Sequence, residues 1–285
     1  MSPYESIANL IHARSGLVLG PGKLYLMETR LASLMRREGL KDLDGLAERL
    51  RSAPKTTHSA ELVREVVEAM ATNETLFFRD ARPFTHLRQQ TLPRLHRSRD
   101  ASQPLRIWSA AASTGQEAYS LAMILAEHRA TMPGRSVEVL GTDLARQPIQ
   151  RAREGLYTQF EVQRGLPVQM LIRYFEKEER GWRVKPDIRA AVEFREWNLL
   201  ADLSALGTFD IVFCRNVLIY FDSPTKARVL NAIARQIVSD GVLYLGGTET
   251  TLGLTTRFLP LAAEHGVYMP ACAGRERAAS SRMVR

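Results

Sequence analysis

The chain has little cysteine, no long apolar run, and one glycine where a dinucleotide fingerprint has three. Each shortage excludes something. Two cysteines in 285 residues, Cys214 and Cys272, build no disulfide framework and point to a reducing compartment. The most apolar stretch, Ile211–Phe221, is broken by Arg215 and Asn216 and cannot span a bilayer. The opening residues MSPYESIANL carry no positive cluster ahead of an apolar run, so no signal peptide is expected. A cytoplasmic protein with no membrane insertion is therefore expected. No set of metal ligands stands out, and the motifs offer no convincing His or Cys nucleophile.

What is present is ordinary in bulk and lopsided in charge. Hydrophobic content of 45% and charged content of 25% are those of a globular protein. The length allows one large domain or two smaller ones. The formal charge is +8 with a pI of about 9.8, which favours an acidic partner: nucleic acid, an anionic surface or an acidic protein. Part of the excess lies in Arg275, Arg277, Arg282 and Arg285, within a segment, 273–285, expected to be disordered.

Residues 1–78 read as a helical domain and linker. Tyr4, Ile7, Leu10 and Ile11 form a stripe that Gly16 stops. A second helix from Lys23 to about Glu38 turns Leu24, Met27, Leu31 and Leu34 inward. Arg30 and Arg37 share another face of it, with Arg36 nearby. Such a face is most often only solvated; the functional alternative is docking of an acidic helix. Helices over Leu43–Arg51 and Ser59–Met70 follow. At the junction, Asn73, Thr75 and Arg79 surround a Leu-Phe-Phe anchor. Asp80 is placed to cap the next helix, which Pro93 should kink or end.

The remainder, 79–272, alternates strands and helices. Leu105, Ile107 and Trp108 are strand-like and Tyr119–His128 is helix-like, with the small residues Ser109–Gly115 between. A strand turning sharply into a helix lets backbone approach a nucleotide-type ligand, although an ordinary tight turn has the same look. The next strand, Val137–Gly141, leads to Asp143. That carboxylate stands where a ribose diol is held, or else caps the following helix. Further strands are Ala191–Trp197, Phe209–Cys214 and Val242–Leu245, with a helix over Pro224–Val238 and a last strand around Gly266–Met269. Polar residues follow the strand ends at Ser109–Glu117, Asp143, Asn198, Arg215 and Asn216. This predicts a mainly parallel, doubly wound sheet with a ligand crevice at those ends. About 156–194 holds an insertion: a helix from Pro167 to about Lys177, then a hairpin starting at Gly181 and running through Val184 to Ile188.

These residues together resemble the chemoreceptor glutamate O-methyltransferases of bacterial chemotaxis. The matching stretches are TNETLFFRD (Thr72–Asp80), RIWSAAASTGQEAYSLAM (Arg106–Met123), GTD (Gly141–Asp143), NLL (Asn198–Leu200) and FDIVFCRNVLIYFD (Phe209–Asp222). The resemblance covers nearly the whole chain before the tail, and a first motif with one glycine is itself a family trait. It implies a Rossmann-like class I methyltransferase sheet, an all-helical N-terminal domain and a small inserted antiparallel β subdomain. It also implies S-adenosylmethionine as cofactor, with S-adenosylhomocysteine as product. By the family's pattern Asn73, Thr75 and Arg79 reach over the methionine part, and Ala111 and Glu117 belong to the first turn. Asp143 holds the ribose, Asn198 and Leu199 meet the adenine, and Arg215 and Asn216 also contact the cofactor. Arg79 and Tyr220 are the positions associated with catalysis. Gln116 replaces an acidic residue common in relatives, while Glu117 is retained.

The implied partner is the cytoplasmic helical bundle of a chemoreceptor, met by a monomer whose docking candidates are Arg30, Arg36 and Arg37. In some family members the inserted module tethers a receptor's C-terminal peptide. Those members share a glycine-bearing extension of one hairpin loop. Here the turn Lys177–Trp182 is short, so independence from that tether is expected. Three alternatives stand beside this reading: a nicotinamide dehydrogenase, a catalytically weak or non-enzymatic receptor-binding homologue, and a nucleic-acid methyltransferase. The dehydrogenase wants a fuller glycine motif. The nucleic-acid enzyme wants a proline-aromatic strip where this chain has RNVLIYF.

Overall fold

The computed structural model describes residues 2–52, 56–100, 102–129, 134–261 and 264–271. Cys272 and the segment 273–285, expected to be disordered, lie outside them. Two compact units are formed. One holds the chain up to Thr72 together with Tyr220–Thr225; the other holds Asn73–Ile219 and the chain from Lys226 onward.

Among its described residues the first unit holds four α-helices: α1 (Pro3–Ser15), α2 (Leu24–Arg37), α3 (Leu43–Ser52) and α4 (Thr57–Met70). Ser2 and Glu5 form a capping box at the start of α1, with Pro3 in the first turn where no N–H is needed. Gly16 ends it in the left-handed conformation (φ 79°), as the sequence predicts. Ile7, Ile11, Met27, Leu31, Leu46, Leu62 and Val66 are buried in this unit. Tyr220–Thr225 joins these helices through an antiparallel bridge of Phe221 with Leu17. The Val18 N–H also donates to the Tyr220 carbonyl (2.9 Å).

The second unit opens with α5 (Arg82–His86), a π turn over Leu87–Thr91 and α6 (Leu92–Ser98). One expectation fails here, and half of another. Asp80 does not cap α5, whose N-cap residue is Ala81 without a side-chain bond. Nor does Pro93 end the helical path. The π turn absorbs it: the Leu92 N–H reaches back to the Leu87 carbonyl, and Pro93 falls in the first turn of α6.

Next come β1 (Leu105–Ala110), α7 (Gln116–His128), β2 (Val137–Asp143) and α8 (Arg146–Glu154). The insertion follows: β3 (Leu156–Tyr157), α9 (Gln159–Gln163), α10 (Val168–Tyr174), β4 (Phe175–Glu178), β5 (Gly181–Val184) and α11 (Pro186–Ala190). The chain finishes with β6 (Val192–Glu196), β7 (Phe209–Cys214), α12 (Ser223–Ala234), β8 (Ile237–Leu245), β9 (Phe258–Pro260) and β10 (Val267–Pro270).

The main sheet has the order β6-β2-β1-β7-β8-β10-β9. From β6 to β8 the neighbours are parallel; β10 runs antiparallel to both β8 and β9. The chain winds outward from β1 through β2 to β6, then returns to the other side of β1 with β7 and β8. The winding therefore reverses between β1 and β7, and such a switch point opens a crevice at the carboxyl ends of the strands. Both strands there are buried almost throughout, as expected for a parallel sheet covered on both faces.

The insertion is a three-stranded antiparallel sheet, β3-β5-β4. Its elements differ from the sequence reading. The helix expected to reach Lys177 stops at Tyr174, because Phe175 is drawn into the core beside Phe77 (ring centroids 5.5 Å apart). The hairpin turns at Glu179-Arg180, ahead of Gly181, and Ile188 lies in α11. The helix expected to run to Val238 ends at Ala234, and β8 starts at Ile237, which pairs with Phe209. Asp240 lies inside that strand, held by Arg99 (2.9 Å). No helix among the described residues is long and apolar enough to cross a membrane.

Candidate cofactor and active site

The turn from β1 to α7 coils tightly because Ala111 (φ 64°), Ser113 (φ 50°) and Gly115 (φ 93°) take positive φ. Only glycine does so without cost, and at Gly115 a Cβ would also stand 2.9 Å from that of Ala152. Ala112 donates its N–H to the Thr142 carbonyl (2.8 Å) and Ser113 donates to Asp143 Oδ2 (2.8 Å). The Ser113 hydroxyl donates to the Asn73 carbonyl (2.8 Å), which fastens the linker to the turn.

Asp143 combines both readings of the sequence. Its Oδ1 accepts the Ala145 N–H (3.0 Å), which shapes the approach to α8, and its carboxylate lies beside the β1–α7 turn at the end of β2. Burial pushes its carboxyl up from the ordinary range, and the N–H groups of Ala145, Ser113 and Leu144 oppose that shift. Asn198 and Leu199 follow β6 next to it. The Trp197 N–H donates to the Asp143 carbonyl (2.8 Å), Asn198 Oδ1 accepts from Leu200 N–H (2.9 Å), and Leu199 is buried.

Across the switch point, Arg215 follows β7 with its side chain 1% exposed. Nη1 donates to Glu117 Oε2 (2.9 Å); Nη2 donates to the Arg79 carbonyl (2.8 Å) and to Asp80 Oδ2 (2.9 Å). Glu117 Oε1 accepts from the Ser109 hydroxyl (2.8 Å). Arg215 is thus a strut beneath residues 78–80, whose backbone is strained at Phe78 (φ 50°) and Asp80 (φ 55°). The aromatic anchor expected at the junction is present: Phe77 is fully buried, and the Phe78 N–H donates to Ser120 Oγ (3.0 Å). Arg79 itself is half-buried. Its carbonyl accepts from Arg215, and its own Nη1 donates to the Glu74 carbonyl (3.1 Å), which holds the guanidinium against the linker.

The structure brings Asn73, Arg79, Ala111, Glu117, Asp143, Asn198, Leu199, Arg215 and Asn216 into the sheet unit, most of them at strand ends. Thr75 lies half-buried in the same linker. Gln116 is buried and accepts from the Thr114 hydroxyl (2.8 Å). Tyr220 closes a short turn, Leu218–Tyr220, and is grouped with the helical unit. Arg30, Arg36 and Arg37 belong to that unit too. Arg30 donates to the Met70 and Ala71 carbonyls (2.9 Å each) and so completes the end of α4. Arg37 pairs with Glu65 and Glu38. Arg36 is exposed.

Sequence reasoning missed two residues. Asp80, taken for a helix cap, is a partner of Arg215. Glu249, four residues past the end of β8, is 4% exposed and accepts four backbone N–H groups. The signal for Glu249 was a carboxylate in a Gly-Gly-Thr-Glu run at a strand end.

Residues 2–70 match the family model of the CheR methyltransferase all-alpha domain, and residues 73–267 match the CheR methyltransferase SAM binding domain. Chemotaxis protein methyltransferase Cher2 of Pseudomonas putida is 38% identical over 268 residues, covering 93% of this chain and 96% of that protein. Chemotaxis protein methyltransferase 1 of Pseudomonas aeruginosa is 41% identical with the same coverage. The chemotaxis protein methyltransferase of Escherichia coli is 36% identical over 260 residues, covering 90% of this chain and 86% of that protein. Fold and site together define an S-adenosylmethionine-dependent methyltransferase. The chain belongs to the CheR methyltransferase family.

The residues present fit that cofactor. A carboxylate ends β2, and the β1–α7 turn has the coiled backbone that a close ligand needs. Two buried donors, Arg215 Nε and Trp197 Nε1, also have no protein partner, and both lie just past strand ends.

Proposed function

We propose that this protein transfers a methyl group from S-adenosylmethionine to glutamate side-chain carboxylates in the cytoplasmic helical bundle of chemoreceptors, yielding glutamate methyl esters. The observation that carries the reading is Arg79, a cation whose backbone is strutted by Arg215 beside the cofactor crevice. The names of the relatives, all chemotaxis protein methyltransferases, support the substrate.

When bound, S-adenosylmethionine supplies a methyl group on a positively charged sulfur. Asp143 would take the ribose hydroxyls, and Asn198 and Leu199 the adenine. Asn73, Thr75 and Arg79 would reach over the methionine part, Ala111 and Glu117 would belong to the turn beside it, and Arg215 and Asn216 would add further cofactor contacts. A glutamate side chain has an unperturbed pKa of about 4.3 and is an anion at neutral pH, so its attack needs no general base. What it needs is alignment and exclusion of water. Arg79 supplies a fixed cation for the carboxylate and cannot itself act as a base. Tyr220, the other position that the resemblance associates with catalysis, carries a hydroxyl able to donate one hydrogen bond.

Docking falls to the helical unit, and the insertion works without a peptide tether. The second statement is supported by the tight turn at Glu179-Arg180, with Glu178 paired to Arg183 across the hairpin. Incubation with receptor-bearing membranes and methyl-labelled cofactor tests the whole reading. Label must enter the receptor and be released by mild base, as an ester requires. Label that stays through base treatment, or that enters nucleic acid instead, contradicts it.

A further inference from the structure

Glu249 lies outside the set of residues assigned above to cofactor or substrate. Its carboxylate is buried among backbone amides at the carboxyl ends of β7 and β8. Oε2 accepts from Gly246 N–H (2.7 Å) and Asn216 N–H (2.9 Å). Oε1 accepts from Val217 N–H (3.0 Å) and Ile219 N–H (3.3 Å). One side chain therefore ties Gly246, at the exit of β8, to three residues beyond β7: Asn216, Val217 and Ile219.

We infer that Glu249 is a positioning residue for the cofactor site, acting through Asn216. Three features converge on that role. Asn216 is held at φ 58°, a left-handed conformation that asparagine adopts more readily than other non-glycine residues but that still needs contacts to fix it. The bond from the Asn216 amide to Glu249 is part of what imposes it. Gly246 leaves the room: a Cβ there would stand 2.6 Å from Glu249 Oε2 and 3.0 Å from the Asn216 nitrogen. The carboxylate is also suited to this place in a way that an amide is not. A carboxylate is acceptor-only at both oxygens, whereas a glutamine would turn an NH2 group toward two N–H donors. Charge-assisted bonds to backbone amides are about twice as strong as neutral ones.

The inference rests on the cofactor assignment of Asn216, and its test does not depend on the identity of the methyl acceptor. Calorimetric titration of S-adenosylhomocysteine into Glu249→Gln, Asn216→Ala and the double variant reads the coupling between the two residues. Glu249→Gln is expected to lose about tenfold or more in affinity, and the double variant little more than Asn216→Ala alone. In turnover, Glu249→Gln should raise the KM for S-adenosylmethionine and leave the KM for the acceptor unchanged. A residue that only stabilises the fold would lower the unfolding temperature without this split. Gly246→Ala, which displaces the carboxylate without removing it, should show the same loss of affinity and serves if Glu249→Gln does not fold. Wild-type affinity in a folded Glu249→Gln or Gly246→Ala protein, or fully additive losses in the double variant, would overturn the inference. A wild-type protein that binds S-adenosylhomocysteine but methylates no receptor would defeat the substrate proposal and leave this one standing.

Discussion

Asp143 and Arg79 illustrate how much a single side chain carries here. Asp143 is buried, and its carboxyl is pushed above its ordinary value of 3.8. Ribose hydroxyls donating to it would favour the charged form, so binding lowers its pKa. The sign follows: affinity for S-adenosylhomocysteine is flat above the free-state pKa and falls as pH drops through it. Asp143→Ala should lose more than tenfold in affinity, about 1.4 kcal/mol or more, and lose that pH dependence as well. Calorimetry across the acid range checks both, and an unchanged variant removes Asp143 from the site. Arg79 makes the complementary case. Its side chain is at the rim and its backbone is held by Arg215, so Arg79→Ala should keep the fold and lose most methyl transfer. Arg79→Lys should recover only part, since a point charge lacks the planar fork. Near-normal turnover in Arg79→Ala would end its catalytic assignment.

Among the elements, legibility followed the physics of each. The strands at the switch point were plain because parallel strands buried on both faces read as apolar runs: Phe209–Cys214 was expected and found with the same bounds. The helices of the first unit were plain from their stripes and the Gly16 stop, except that Leu24, expected to face inward, is 44% exposed. Where the sequence misled, tertiary contacts decided. Phe175 left a helical pattern for the core of the sheet unit, and Ile237 left one to pair with Phe209. In the site, the motif residues could be found by spacing at strand ends. The partnership of Asp80 with Arg215 could not, because it joins residues 135 apart that no local pattern links. The hairpin β4–β5 carries its own prediction. Its two-residue turn leaves little backbone for an added strand, so a receptor C-terminal pentapeptide titrated by calorimetry should show no binding to residues 178–194. Micromolar affinity mapped to that module would show the tether to be present.

For the molecule as a whole, the net charge of +8 and the helical unit bear on how a substrate is reached. Arg30 and Arg37 are engaged within that unit, Arg30 on the end of α4 and Arg37 with Glu38 and Glu65. Reversing Arg30 would therefore disturb the helices as well as any partner. Arg36, exposed on α2, is the cleaner probe. Arg36→Glu should raise the apparent receptor requirement several-fold and leave S-adenosylhomocysteine affinity unchanged, and added salt should weaken the wild type in the same direction. Salt-independent turnover together with a silent Arg36→Glu variant would make this face merely solvated. The account depends above all on the bond that is made: a methyl group on a glutamate oxygen, formed without a base. Mass-spectrometric mapping of receptor methylated by the wild-type protein, with Arg79→Ala as control, reads that bond. The predicted result is methyl ester on glutamate side chains of the receptor's cytoplasmic helices, absent with Arg79→Ala and removed by mild alkali. Methyl groups on nitrogen, or ester formed equally well by the Arg79→Ala protein, would contradict it.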